Sequence, residues 1–296
     1  MPEDVAVAPD GTLYVTDLFN SRIRKIAHGQ VSTFAGNGKQ DIADGNGDTA
    51  EFIFPFRIVM DSSGNLYTTD GVDPRIRKIT PAADVYTFSG LAMPGFQDGK
   101  ADIARFKQAA GGIAADARGG VYISDTYNHR IRKVTASGTV ITSAGSGEPG
   151  ALNAIGTAAQ FNHPAGIAVD HNGTVYVADR ANRRIRTITP DGQVAVFAGS
   201  GVKGILDGPA LIAQFDELQD LALDGKGNVY LTDDHRVRKI SIEGIVSTIA
   251  GSDAGYADGE GSAAKFNYPS GLDIDSNGNL YVADIMNNRV RKISFE

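Results

Sequence analysis

The chain has 296 residues, with 35 acidic and 28 basic side chains and a formal charge of −7, and it contains no cysteine. Disulfides, iron–sulfur centres, thiol catalysis and cysteine-ligated zinc are therefore excluded, and the acidic balance argues against a nucleic-acid partner, whose phosphates need a basic surface. No stretch approaches the ~20 apolar residues of a membrane-spanning helix, and Met1-Pro2-Glu3-Asp4 has neither the basic nor the apolar character of a secretory leader.

In chain order the sequence repeats one unit six times. Tyr14, Tyr67, Tyr122, Tyr176, Tyr230 and Tyr281 recur at intervals of 51 to 55 residues. Three positions after each tyrosine comes an aspartate: Asp17, Asp70, Asp125, Asp179, Asp233 and Asp284. An Arg-x-Arg pair follows, from Arg22/Arg24 to Arg289/Arg291. The units run approximately over 1–53, 54–108, 109–163, 164–217, 218–268 and 269–296. Within the fourth, Gly166–Asp170, Val175–Asp179, Arg184–Ile188 and Val194–Ala198 are rich in β-branched residues and bounded by turn formers, so four short strands are predicted. Asp-His-Asn-Gly and its relatives Pro-Asp-Gly and Asp-Ser-Asn-Gly suit tight turns with positive φ. Four antiparallel strands per repeat predict an all-β, six-bladed β-propeller. The sixth copy stops after its third strand, so the last blade is expected to be three-stranded; the bare start favours a domain excised from something longer. The arginines are expected near the outer rim, one set pairing with the repeated aspartates and the other solvated.

The order Pro-x-Gly-Ile-Ala-Val-Asp, Asn-Gly-x-Val-Tyr-Val-Ala-Asp, Asn-x-Arg-Ile-Arg-Lys-Ile resembles the NHL repeat. The linker Phe-Ala-Gly-Ser-Gly…Asp-Gly…Ala-x-Phe-Asn-x-Pro is similar to the long-repeat variety of bacterial proteins and teneurins. The resemblance covers essentially the whole chain and implies a propeller, but propellers host enzymes, receptors and scaffolds alike.

Residues shared by every copy answer to a need of every blade, so function is sought where the copies differ. Aligning the glycine of Pro-x-Gly-Ile gives Asp4, Arg57, Gly112, Gly166, Asp220 and Gly271, and one step deeper the sixth copy adds Asp273. The fifth copy shortens its second-to-third turn, which is expected to bring His235 to the face that carries Asp220 and Glu217. Several carboxylates with one imidazole suit a calcium-like cation or acid–base work at the channel mouth. Asp44, Asn46 and Asp48 have the spacing of a calcium loop but lack its glycine and terminal glutamate. His28, His129, His163 and His171 occupy different registers of the repeat, which disfavours a three-histidine metal centre.

These features lead to the expectation of a binding module, a sensor or scaffold that takes a protein, glycan or small molecule on its loop face and channel mouth. The alternative is a channel-mouth hydrolase or lyase, cation-dependent or not, similar to gluconolactonase and strictosidine-synthase-like propellers. Absence of cysteine fits an extracytoplasmic, periplasmic or secreted, setting.

Overall fold

The protein is described by a computed structural model over residues 1–107 and 111–295; the expected boundary between the second and third repeats lies outside these residues. Six antiparallel sheets follow one another along the chain. Blade one comprises β1 (Pro2–Val7), β2 (Leu13–Asp17), β3 (Arg22–Ala27) and β4 (Gln30–Ala35), and blade two comprises β5 (Pro55–Met60), β6 (Leu66–Asp70), β7 (Ile76–Ile79) and β8 (Val85–Ser89). Blade three is β9 (Ile113–Ala115), β10 (Val121–Asp125), β11 (Arg130–Val134) and β12 (Val140–Ala144). Blade four is β13 (Pro164–Val169), β14 (Val175–Asp179), β15 (Arg184–Ile188) and β16 (Val194–Ala198). A two-residue strand, β17 (Gly208–Pro209), leads into blade five: β18 (Leu218–Leu223), β19 (Val229–Asp233), β20 (Arg236–Ile240) and β21 (Ile245–Gly251). Blade six has three strands, β22 (Pro269–Ile274), β23 (Leu280–Asp284) and β24 (Arg289–Ile293). Among the described residues the only helical segments are single 3-10 turns.

The first strands stand side by side around a central channel, and β1 touches both β5 and β22, so the ring closes. The β13–β14 turn shows how the local sequence achieves each hairpin. Asp170 Oδ1 accepts the amides of Asn172 and Thr174, and Gly173 supplies φ +86°, which a side chain would resist.

Apolar residues alternate along the strands and bury between consecutive blades, nine to eleven of them fully, at each of five seams. Among the described residues, the seam between blades six and one buries Val5, Leu13 and Val15.

The arginines pair with the repeated aspartates as expected in blades three to six, but the paired set lies inside the seams rather than at the rim. The second arginine of the pair is almost fully buried in blades two to five, as Arg77, Arg132, Arg186 and Arg238. Arg132 donates to Asp125 (2.7 Å) and to Asp98 of the preceding linker (2.6 Å), with its guanidinium 5.1 Å from the centre of the Phe106 ring. Arg186 lies over Phe161, Arg238 over Phe215 and Arg291 over Phe266 in the same way. Each Ala-x-Phe linker is thus pinned by the arginine of the blade it enters, through stacking and charge-assisted hydrogen bonds.

Candidate functional site

The channel ring is the place where the copies differ, and the structure shows what each version does. Gly112 lets two blades meet directly: its amide donates to Ala165 O (3.1 Å), and a Cβ there would lie 2.6 Å from the same oxygen. Around the other arc, carboxylates span the gap. Asp4 accepts the amides of Val5 and, across the seam, Ile58, both at 2.8 Å. Asp273 accepts those of Ile274 and, in blade one, Val7, also at 2.8 Å. Asp220 accepts from Leu221 and from Leu272 of blade six. Three of the six inter-blade contacts around the channel are therefore carboxylate bridges to an edge amide of the next first strand.

A second-strand threonine accompanies each charged residue at the aligned glycine position. Thr16, Thr69 and Thr232 accept the amides of Asp4, Arg57 and Asp220 and donate to the carbonyls of Phe56, Gly111 and Ser270. Where the first strand has glycine, the matching positions are Ser124, Ala178 and Ala283. This covariation is visible in the sequence once both strands are aligned.

Electrostatically, Arg57 is surrounded by acids. Its Nη1 lies 3.5 Å from Asp220 Oδ2, and its Nη2 donates to Gln219 O at 3.5 Å. Glu3, buried beside it, accepts from Ser270 Oγ at 2.7 Å. Burial opposes the charge on Arg57, but the fields of Asp220, Asp4 and Glu3 outweigh it and hold the guanidinium protonated. Burial raises Asp4 well above the ordinary carboxylate range, reinforced by Asp220 and opposed by Arg57 and the amides of Ile58 and Val5. Glu3 and Asp220 are also raised by burial, with Arg57 the main opposing influence. Burial lifts Asp273 to about 6 against the pull of its two amides. One guanidinium cannot neutralise Glu3, Asp4 and Asp220 together, so the cluster favours retaining a proton.

The channel itself is a cavity of about 160 Å³ lined by Asp4, Asp220, Asp273 and small aliphatic residues such as Ala114, Ala168 and Ala222. That volume admits a few waters, whereas small-molecule sites usually measure about 300–1,000 Å³. Among the described residues no three His, Cys, Asp or Glu side chains are grouped to hold a metal ion.

The other expected residues are placed apart from this cluster. Glu217 pairs with Arg180 in a surface depression that also includes Tyr127 and His163. His235 packs edge-on against Tyr268, ring centres 4.6 Å apart, and its Nδ1 accepts the Tyr268 amide. His129 does the same one seam earlier: it accepts the His163 amide at 3.2 Å with the rings 4.6 Å apart. The different registers assigned to His129 and His163 thus converge in space, across a seam. Asp44 accepts from Arg77 and from the Thr87 amide, and Asn46 Oδ1 accepts the amides of Asp48 and Thr49, so these oxygens serve the linker and its turn.

Sequence reasoning missed the faces of the second-to-third turns. At equivalent positions they present Phe19, Val72, Tyr127 and Met286, exposed by 59, 54, 43 and 57%. The turns stand at the end of the molecule where the first strands begin, as the pairings Pro2↔Asp17 and Pro164↔Asp179 show, and so on the side of Asp4 and Asp220. The signal was available in the sequence: at the two positions after each repeated aspartate the residue type changes from copy to copy.

A six-bladed ring of four-stranded units with the Tyr-x-x-Asp and Arg-x-Arg framework defines an NHL-type propeller. The NHL repeat profile matches residues 109–134, 161–188 and 266–293, so the chain carries NHL repeats. It is similar to Teneurin-3 of Mus musculus, 26% identical over 99% of this chain but only 12% of that protein's length. In fold it is similar to an auxiliary nutrient binding protein from Bacteroides thetaiotaomicron (TM-score 0.72, 16% identity, covering 100% of this chain and 69% of that one). It is also similar in fold to a gluconolactonase from Xanthomonas campestris (TM-score 0.63, 14% identity, 95% and 82% covered). No helix among the described residues is long and apolar enough to cross a membrane.

Proposed function

We propose that this propeller is a binding module that takes a protein, glycan or small-molecule ligand on its loop face, around the channel mouth. The observation that carries the reading is the set of exposed apolar side chains Phe19, Val72, Tyr127 and Met286 at equivalent turns. They stay largely exposed although Phe19 meets Phe54 and Tyr127 meets His163 edge-on, and aromatic residues and methionine are enriched at recognition surfaces. Asp4, Arg57, Asp220 and Asp273 belong to this reading as the charged floor of the mouth, with Glu217 and His235 on its rim. An extracytoplasmic setting, in which a cysteine-free chain is at home, is part of the proposal.

A second reading, a hydrolase or lyase, has one observation in its favour: Asp273, lifted to about 6, is suited to proton transfer near neutral pH. Against it stand the small channel and the commitment of the carboxylates to amides. The test is to select ligands from a random peptide library and a glycan array on the wild-type protein. Their affinity is then measured on the combined Phe19→Ser, Tyr127→Ser and Met286→Ser variant. At least tenfold weakening with an unchanged melting temperature is expected. Undiminished affinity, or hydrolysis of simple lactones that Asp273→Asn abolishes, would overturn the binding reading.

A further inference from the structure

The second-to-third turns of blades one, three, four and six each end on a residue with left-handed backbone: Ser21, His129, Arg183 and Asn288. In two of them that residue ties the turn to the next blade. Ser21 Oγ donates to Ile53 O at 2.7 Å, and His129 Nδ1 accepts the His163 amide. Arg183 does neither: among the described residues its guanidinium has no hydrogen-bond or ion-pair partner. It lines a depression of about 360 Å³ on the loop face, between the turns of blades three and four and the linker that enters blade five.

Other charges around this depression are departures from the repeat as well. Arg180 stands where other turns have Leu18, Thr126 and Ile285. Lys203 stands where Gln40 and Pro149 make the same bridge to the linker phenylalanine. Glu217 precedes its first strand where Phe54, His163 and Tyr268 do so in other blades. Arg180 pairs with Glu217, and Lys203 with Asp216 at 2.9 Å. Three cations against two carboxylates leave one positive charge unmatched, and it falls to Arg183. Tyr127 and His163 form an aromatic wall, their rings edge-on with centres 5.8 Å apart. The amides of Ala181, Arg183, Asp216 and Glu217 already donate to Asn162, Arg180 and Asp233, so these stretches offer a ligand side chains and no strand edge.

We infer that this depression binds a sugar residue carrying one carboxylate, a uronate of an acidic glycan. The inference rests on the loop-face reading above and names the ligand class of one part of that face. The planar guanidinium of Arg183 matches a carboxylate through two parallel hydrogen bonds, and a monoanion satisfies the single unmatched charge. The volume lies within the range of small-ligand sites, about 300–1,000 Å³, and gives room for one sugar ring. The apolar C–H face of that ring packs on the exposed Tyr127. Sugar hydroxyls both donate and accept, so they suit a rim where Asp216 and Glu217 accept and Arg180 and Lys203 donate. An acidic peptide meets this chemistry less well. Its carboxylates only accept, its backbone finds no edge to pair with, and Asp216 and Glu217 repel a second acidic side chain.

The experiment is NMR titration of the intact protein with methyl glucuronide, its methyl ester, methyl glucoside, methyl glucoside 6-sulfate and the capped peptide Gly-Glu-Gly. Saturable binding of the glucuronide at millimolar concentration is expected, with the ester and the glucoside at least tenfold weaker. Arg183→Asn, which has a counterpart in Asn288 of blade six, should weaken the glucuronide at least tenfold and leave the melting temperature unchanged. The ester comparison keeps the test valid if that variant misfolds. No saturation by the glucuronide at tens of millimolar, equal binding of the ester, or tighter binding of the sulfate or the peptide would overturn the inference. A loop-face ligand that depends on Phe19 and Met286 but not on Arg183 would overturn it while leaving the broader reading intact. Glucuronide binding that needs Arg183 yet is unchanged by Phe19→Ser and Met286→Ser would support it and confine the binding face to this depression.

Discussion

The outer part of each seam and the inner ring solve the same problem, joining one blade to the next, by opposite means. Outside, one set recurs with small changes: an arginine over a phenylalanine, with an aspartate from its own blade and one from the linker, as in Arg132, Phe106, Asp125 and Asp98; Arg186 takes Asn153 from the linker instead, and Arg77 pairs with Asp44 alone. Inside, the arcs differ: Gly112 meets Ala165 directly, whereas Asp4, Asp220 and Asp273 bridge to amides of the neighbouring blade. The outer set is dictated by a geometry common to all blades. The inner ring has a fixed circumference to fill, so a bulky charged residue in one blade requires glycine in another. The Cβ that Gly166 lacks would fall 2.4 Å from the Cα of Asp220. Recurrence therefore marks the framework, and departure from it marks where the molecule is individual.

The largest effect is expected at the outer set. Arg132→Ala leaves Asp125 buried and unpaired, and we expect denaturant unfolding to show a loss of about 3–5 kcal/mol. The equivalent Arg24→Ala, where the side chain is half-buried and no phenylalanine stacks on it, should cost about 1 kcal/mol or less. Equal losses at the two sites would deny that the stacked phenylalanine and buried aspartate make the difference.

The channel acids should appear next, through pH. Asp273 has a folded-state value of about 6 and an unfolded value of 3.8. Between these limits the folded protein holds a proton that the unfolded chain has released. Its contribution is thus fully present below about pH 4 and is lost as the pH rises through 6. At 1.36 kcal/mol per pKa unit the loss amounts to about 3 kcal/mol at most. In Asp273→Asn this slope should vanish, so melting temperatures of the two proteins should diverge in the variant's favour from pH 4 to pH 7.5. Parallel curves would show that Asp273 is ionised throughout.

Gly112→Ala should have a somewhat smaller effect, about 1–3 kcal/mol, because the added carbon pushes on a carbonyl that has limited room to move. Gly225→Ala, in a surface turn with open space around it, is the control and should be nearly neutral.

How far the sequence reached follows from range. Strands β14, β15 and β16 begin and end where β-branched runs meet turn residues, so their bounds were readable locally, and a fixed repeat length made the six blades and the short last one unavoidable. The ring positions Asp4, Arg57, Asp220 and Asp273 were also readable, because alignment of copies needs no three-dimensional information. What they touch was not. That Asp273 accepts an amide 266 residues away depends on ring closure, and the burial of Arg186 under Phe161 depends on a linker folding back across a seam. His129 and His163 differ in register within a repeat yet meet because one ends a turn and the other precedes the next blade's proline.

Amide hydrogen exchange at Val7, Ile58 and Leu272 tests most directly whether the channel carboxylates join the blades. In the wild type these three edge amides should be protected, since each donates to a carboxylate of the neighbouring blade. In Asp273→Ala, Val7 should lose protection by at least tenfold while Ile58 and Leu272 keep theirs. Unchanged protection at Val7, or a uniform loss at all three, would contradict a bridging role for Asp273.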